Sequence, residues 1–276
     1  MKNTYYKDLP VRKRFGQNFL INNEILKKIA NACELSKDGF ILEIGAGHGY
    51  LTEKLVSEVK KLVAIEIDRD LVNVLNKEFS NCKNIEIISG DFLKFDLNTL
   101  EFDDIPAEKR KVIGNIPYNI TSDIILKLLK KNIYEKDAKR YFSEIIIMVQ
   151  KEVAEKIMAK AGSKNYGSIS VISQYASEVK ELLQVSGENF YPSPKVDSSV
   201  ISFKFKNENE LKADDNATFL RVVHSIFISR RKNLKNTLKI GNFTEEQIKN
   251  VETVFDLNIR GEQLSIDKIV ELSNLL

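Results

Sequence analysis

Apolar residues follow two rhythms along this chain. Short unbroken runs within 40–44, 62–68, 85–89, 111–115 and 143–150 are rich in Ile and Val and read as buried strands. Between them the spacing changes to three and four residues. Ile21, Ile25, Leu26 and Ile29 share one helical face, as do Leu51, Leu55 and Val59 within 50–59. Leu71, Val74, Leu75 and Phe79 repeat the pattern, and so do Ile120, Ile124, Ile125, Leu128 and Leu129. A further helix is expected at 153–161, and Tyr166-Gly167 breaks it and opens another apolar segment. Strands alternating with helices predict an α/β fold with a mostly parallel sheet, closed by strands at 179–186 and 198–205. The rhythm changes again near Lys206. Residues 207–216 are polar and acidic, as in a linker, and 218–238, 244–254 and 265–275 all read as helix, with Gly241 and Gly261 as stops. The expected division is therefore 1–206, an α/β domain with an amino-terminal arm, and 207–276, a small all-helical domain.

A chain of 276 residues suits this division. A net charge of +3 and a pI near 8.6 do not by themselves call for a nucleic-acid partner. The distribution says more, because Arg12, Lys13 and Arg14 cluster near the start and Arg230, Arg231, Lys232, Lys235 and Lys239 near the end. On the helix read at 218–240, Arg231, Lys235 and Lys239 lie at four-residue spacing and form one stripe. Cys33 and Cys82 have no CxxC spacing, which argues against a disulfide framework or a zinc site. No apolar run is long enough to span a bilayer, and residues 1–10 lack a signal-peptide core. The expectation is a soluble, cytoplasmic protein.

Candidate chemistry collects where the strands end. The first strand runs into Gly45-Ala46-Gly47-His48-Gly49, and glycines there let backbone approach a ligand closely, a Rossmann-like opening. The spacing is G-x-G-x-G rather than the G-x-G-x-x-G of a dinucleotide site, which favours a nucleoside ligand without a pyrophosphate. His48 has no metal or triad partner in the sequence and reads as a loop residue. The second strand ends in Glu66-Ile67-Asp68, about where such folds hydrogen-bond ribose hydroxyls; Glu66 fits the role and Asp68 is its rival. Asp91 follows the third strand and would accept from an adenine amine, or else serve as a turn aspartate. The fourth strand delivers Gly114-Asn115-Ile116-Pro117-Tyr118. Asn offers a carboxamide oxygen, Pro fixes φ and donates nothing, and Tyr presents a flat π face, so the loop suits a planar base carrying an amino group. Asn and Pro are also ordinary turn residues. Phe190-Tyr191-Pro192-Ser193-Pro194-Lys195-Val196-Asp197 forms a stiff aromatic-proline loop, and Phe15, Phe19 and Leu20 read as partly core.

Taken together these segments resemble the KsgA/RsmA family of ribosomal RNA adenine N6-dimethyltransferases. The resemblance is carried by Gln17-Asn18-Phe19-Leu20, the Glu43 to Gly49 segment, Glu66-Ile67-Asp68, Gly90-Asp91, the Gly114 to Asn119 loop, Tyr166-Gly167, the Phe190 to Ser198 segment and Phe227-Ile228-Ser229-Arg230-Arg231-Lys232-Asn233-Leu234. It covers 12 to about 239. One position departs: Ile116 stands where that family usually carries Leu, and here the chain is similar to the Erm methylases of large-subunit rRNA. The Gly16 to Leu20 segment, the Arg-Arg-Lys run and the helical carboxyl-terminal part favour KsgA/RsmA.

The resemblance implies a Rossmann-like S-adenosyl-L-methionine-dependent methyltransferase sheet acting on 16S rRNA in the 30S subunit or its precursor, as a monomer and without a metal. It implies that Asn18, Leu20, Gly45, Gly47, Glu66, Asp91 and Asn115 bind the cofactor. Asn115 and the Pro117 carbonyl would accept from the adenine amine, and Tyr118 and Phe190 would sandwich the base. Arg12, Lys13, Arg14, Lys195, Arg230, Arg231, Lys232 and Lys235 would meet RNA.

Overall fold

A computed structural model describes residues 11–12, 16–102, 104–134, 141–207, 210 and 212–276. The chain divides into two compact units, one of 1–127, 139–154 and 180–204, the other of 128–138, 155–179 and 205–276.

The first unit is organised by a seven-stranded sheet. Its strands are β2 (Phe40–Ile44), β3 (Lys61–Glu66), β4 (Ile85–Ser89), β5 (Arg110–Asn115), β6 (Glu144–Gln150), β7 (Ser177–Val185) and β9 (Ser198–Phe205), in the order β4-β3-β2-β5-β6-β9-β7. β4, β3, β2, β5 and β6 pair in parallel, and β9 runs antiparallel to β6. All five residues of β2 are buried, as expected for a central strand covered on both faces. Fully burying each Leu or Ile there is worth about 1.5–3 kcal/mol. The order doubles back at β2, so the β2–β5 edge is the switch point at which parallel sheets open a crevice beyond their carboxyl ends.

Helix α1 (Asn23–Ala32) starts where Asn22 accepts from the Glu24 and Ile25 N–H groups, and α3 (Arg69–Glu78) starts at Asp68, which accepts from Asp70. The helix expected at 50–59 is shorter. It consists of α2 (Thr52–Leu55) and a 3₁₀ turn at Val56–Glu58. The Asn84 amide donates to the Val56 and Val59 carbonyls at 2.7 and 2.9 Å, closing the helix from a distant segment. Two short strands, β1 (Phe19–Leu20) and β8 (Phe190–Tyr191), pair antiparallel, tying the arm to the aromatic-proline loop. Leu20 is buried and Phe19 half-buried, while Phe15 lies outside the described residues. α4 (Thr121–Tyr134) begins at the expected Thr121. α5 (Lys151–Ile157) starts directly from β6 rather than at 153.

The second unit holds α6 (Ser168–Ala176), α7 (Asn216–Phe227), α8 (Leu234–Ile240), α9 (Glu245–Glu252) and α10 (Ile266–Asn274). α7 packs on α6, α8 and α10. Its first residue, Asn216, accepts from the Tyr175 hydroxyl at 2.9 Å and donates to the Ile133 carbonyl at 2.8 Å. The single helix expected at 218–238 is two helices. Leu234 and Lys235 donate their N–H groups to the carbonyls of Ile259 and Leu257 instead of to the preceding turn, and the Asn233 side chain accepts from Asn236 to start α8 anew. Arg231 therefore does not share a helical stripe with Lys235 and Lys239. Three residues of the expected linker, 208, 209 and 211, lie outside the described residues.

Among the described residues no helix is long and apolar enough to cross a membrane.

Candidate active site

The carboxyl ends of the parallel strands open onto a cavity of about 270 Å³ within the first unit. Its wall includes Asn18, Leu20, Gly45, Gly47, Glu66, Asp91, Asn115, Pro117 and Tyr118. Gly45, Glu66, Asp91 and Asn115 meet at one edge because parallel strands deliver all their carboxyl ends to the same side, and the segment carrying Asn18 and Leu20 reaches that edge from outside the sheet.

The glycine turn after β2 needs its glycines. Gly47 has φ +58°, and a Cβ on it would lie 3.2 Å from the Phe19 ring. At Gly49, φ is +78° and a Cβ would come within 2.8 Å of Phe79 and 2.9 Å of Leu75. The Gly47 N–H donates to one Glu66 carboxylate oxygen at 2.9 Å, and the Asp68 N–H donates to the other at 2.9 Å. Each oxygen retains acceptor capacity for a hydroxyl. Burial pushes the Glu66 carboxyl pKa up, and the backbone donors oppose that shift. Asp68 does not line the cavity. It caps α3, accepts from the Gln17 amide at 3.1 Å and pairs with Arg12 at 3.4 Å. Of these two rivals, Glu66 is the one that faces the cavity.

Asp91 accepts from the Leu93 N–H at 3.0 Å, so it makes the turn that its position also suggested and still lines the wall. Lys127 fixes that loop by donating to the carbonyls of Phe92, Leu93 and Phe95 at 2.8, 3.0 and 2.6 Å.

The Asn115 amide nitrogen faces the Asn18 carbonyl at 3.5 Å, and the residue lines the cavity wall. The Pro117 carbonyl is differently placed from what the sequence suggested. It accepts from the Ile120 N–H at 3.2 Å and the Thr121 hydroxyl at 3.0 Å, so its lone pairs serve the start of α4. An incoming amine would have to displace one of them. Ile116 is 3% exposed, and its Cγ2 lies 3.5 Å from where a Cβ on Gly45 would stand. The residue that departs from the family pattern packs against the glycine turn, so an Ile-for-Leu exchange there is a change of packing.

Phe190 is not part of the wall. It is 3% exposed and belongs to the apolar core with Leu20, Val185 and Val200. Of the expected RNA-binding cations, Lys195, Arg230, Arg231 and Lys232 are exposed. Arg12 pairs with Asp68 and Asp70. Arg230 spends its guanidinium within its own unit, on Glu262 at 3.0 Å and on the carbonyls of Lys164 and Tyr166 at 2.7 and 3.0 Å. Lys235 holds Glu252 at 2.6 and 2.8 Å. Lys13 and Arg14 lie outside the described residues.

Sequence reasoning gave no role to Glu43 or His48. Glu43 is 2% exposed, lies in the cavity wall and accepts from the Thr52 hydroxyl at 2.6 Å. Burial pushes its pKa up to about 8. An acid whose pKa rises on folding favours the folded state most below its ordinary value of 4.5, and the advantage is lost as pH climbs to about 8. Glu43→Gln keeps an acceptor for Thr52 without the titration. Its stability relative to the parent is expected to rise between pH 5 and 8, by on the order of a few kcal/mol in urea melts. Parallel stability profiles for the two proteins would refute this. The His48 ring lies 4.2 Å from Phe19 and 5.6 Å from Tyr50, with its Nδ1 buried and unpartnered; burial lowers its pKa, which favours a neutral ring in the wall. A polar residue inside a glycine turn was the one available signal for it.

The glycine turn, the two acids and the amide loop form a donor and acceptor set that fits an adenosine-containing cofactor beside a second planar base. Known proteins point the same way. A family model described as ribosomal RNA adenine dimethylase matches residues 9–276. Ribosomal RNA small subunit methyltransferase A of Caldanaerobacter subterraneus subsp. tengcongensis is 36% identical over 97% of this chain and 98% of its own. The protein of the same name from Hydrogenovibrio crunogenus is 39% identical over 96% of each chain. Among solved structures, a dimethyladenosine transferase from Plasmodium falciparum has a TM-score of 0.75 at 25% identity, over 92% of this chain and 95% of that one. The 23S rRNA methyltransferase ErmE has a TM-score of 0.62 at 25% identity, over 93% and 99%. With the family model spanning residues 9–276 and relatives this similar over nearly their whole length, the chain belongs to the ribosomal RNA adenine dimethylase family.

Proposed function

We propose that this chain uses S-adenosyl-L-methionine to dimethylate N6 of two adjacent adenosines in the 3′-terminal hairpin of 16S rRNA during 30S subunit biogenesis. The observation that carries this reading is the single cavity where Glu66 and Asp91, beside the glycine turn, meet the Asn115 to Tyr118 loop. In it Asn18, Leu20, Gly45 and Gly47 shape the cofactor's berth, Glu66 accepts from ribose hydroxyls and Asp91 from the adenine amine. When bound, the cofactor supplies a methyl group made electrophilic by its sulfonium.

The chain's own residues do the rest. N6 of adenine is a poor nucleophile because its lone pair is delocalised into the ring. Asn115, accepting an N6–H bond on its side-chain oxygen, favours a pyramidal nitrogen, a preorganised contact worth ~3 kcal/mol. The alkylated nitrogen is acidic and loses its proton to solvent, so no side chain is assigned as base. Tyr118 stacks on the flipped-out base, a contact worth roughly 1–3 kcal/mol. Phe190 is proposed as its partner across the base.

RNA affinity is assigned to Arg12, Lys13, Arg14, Lys195, Arg231 and Lys232, with Arg230 and Lys235 bracing their surroundings. Residues 207–276 supply part of this phosphate-binding surface, and residues 1–206 the catalysis. The enzyme is proposed to act as a monomer in the cytoplasm. Tritiated methyl transfer to unmethylated 30S particles, 50S precursors and duplex DNA tests the assignment. Labelling of two adjacent adenosines in 16S rRNA is expected, and label confined to 23S RNA would overturn it.

A further inference from the structure

We propose that Ser198 is a positioning residue for the target base, acting through the ring of Tyr118. The inference rests on the reading that Tyr118 stacks on that base.

The Tyr118 hydroxyl and the Ser198 Oγ lie 2.7 Å apart. Ser198 is fully buried, at the first residue of β9, where antiparallel pairing sets it opposite Gln150 of β6. Side chains two apart on a strand share a face, and Val200 lines the cavity opposite Met148, another wall residue. Ser198 therefore projects to the cavity side of the sheet. Its position is set by the strand ladder and does not depend on the loop that carries Tyr118.

Tyr118 is held at both ends. Its backbone follows Pro117, whose carbonyl is fixed by Ile120 and Thr121 at the start of α4. Its hydroxyl is held by Ser198. Anchoring the two ends of the Cβ–Oη axis fixes χ1. The preference of a phenolic O–H to lie in the ring plane restrains the tilt as well. A half-exposed tyrosine without that anchor would sample other rotamers, and a base could stack only after the ring had been ordered. The Ser198 hydroxyl removes that step by presenting the ring already set.

The bond predicts a specific pattern among four full-length variants: Tyr118→Ala, Tyr118→Phe, Ser198→Ala and the Tyr118→Phe/Ser198→Ala double. Methyl transfer is measured on unmethylated 30S particles. Base stacking is read from fluorescence quenching of an RNA hairpin carrying 2-aminopurine at the target position. Tyr118→Phe keeps the ring and loses only the hydroxyl. Tyr118→Phe and Ser198→Ala are each expected to lower kcat/KM by about 3- to 10-fold, the usual cost of ordering one side chain. They should also weaken the quenching, with cofactor affinity unchanged. The double variant should match either single variant instead of multiplying their losses. Tyr118→Ala should lose more than any of them. If Ser198→Ala and Tyr118→Phe retain full rate and quenching while Tyr118→Ala does not, the positioning role is wrong and the stacking role stands. Multiplicative losses in the double variant would likewise overturn it, by showing that Ser198 acts elsewhere. If Tyr118→Ala itself stacks and methylates normally, the underlying reading of Tyr118 fails. Should Ser198→Ala fold poorly, Tyr118→Phe interrogates the same bond from outside the strand.

Discussion

Asn115→Ala is expected to lower kcat for methyl transfer by roughly 10²–10³, the cost of removing one preorganised acceptor from a reacting group. The Kd for S-adenosyl-L-methionine should change far less, because Asn18, Leu20, Gly45, Gly47, Glu66 and Asp91 remain to hold the cofactor. The expectation follows from the amide's setting. Its nitrogen faces the Asn18 carbonyl, the residue lines the cavity, and its oxygen is the acceptor proposed for the amine. The second acceptor first expected, the Pro117 carbonyl, is committed to Ile120 and Thr121, which concentrates the effect on Asn115. Single-turnover methylation with saturating cofactor, alongside calorimetric cofactor binding, separates the two quantities. A loss of cofactor affinity matching the loss of rate would count against the role.

Glu66→Ala should show the opposite split. The carboxylate is oriented in the wall by the Gly47 and Asp68 N–H groups, and each hydrogen bond that a ribose hydroxyl makes to such a charged acceptor is worth about 1.5–3 kcal/mol. The ribose contacts would go with it. The cofactor Kd is therefore expected to rise by roughly 100-fold or more, whereas kcat at saturating cofactor falls far less. Glu66→Gln, which still offers one acceptor oxygen, should lie between the two. Unaltered cofactor binding in Glu66→Ala would remove it from the ribose. Asp68 is a poor substitute, because its carboxylate already serves the α3 cap, Gln17 and Arg12.

Much of this site was legible before the structure. β2 could be read from its nearly unbroken apolar run, and the glycine turn, Glu66, Asp91 and the Asn115 loop from their places at or just after the ends of successive strands. These features are local: a strand and the residues that follow it are neighbours in sequence as well as in space. The two-residue pairing of Phe19–Leu20 with Phe190–Tyr191 was not legible, because its partners lie about 170 positions apart and neither segment is long enough to show a period. Nor was the burial of Phe190 in the core. An aromatic residue has the same letter whether it packs inward or waits for a base.

The same distinction explains the helices. Thr218 to Leu238 has the composition of one helix, yet Ile259 and Leu257 take the N–H groups of Leu234 and Lys235 and split it. Arg231, Lys235 and Lys239 were then no longer one stripe. Arg230, Arg231 and Lys232 look alike in sequence and all three are exposed, but the fold brings Glu262 and two carbonyls to the Arg230 guanidinium. By itself, then, the sequence determined the alternation of strands and helices in the parallel sheet, the position of the ligand edge and the chemical types gathered there, because hydrophobic period and strand-end residues act over a few positions. Only the tertiary structure decided which acid faces the cavity, which carbonyl is already occupied, where a helix stops and which hydroxyl holds Tyr118. Those outcomes depend on hydrogen-bond partners that the fold brings in from far along the chain.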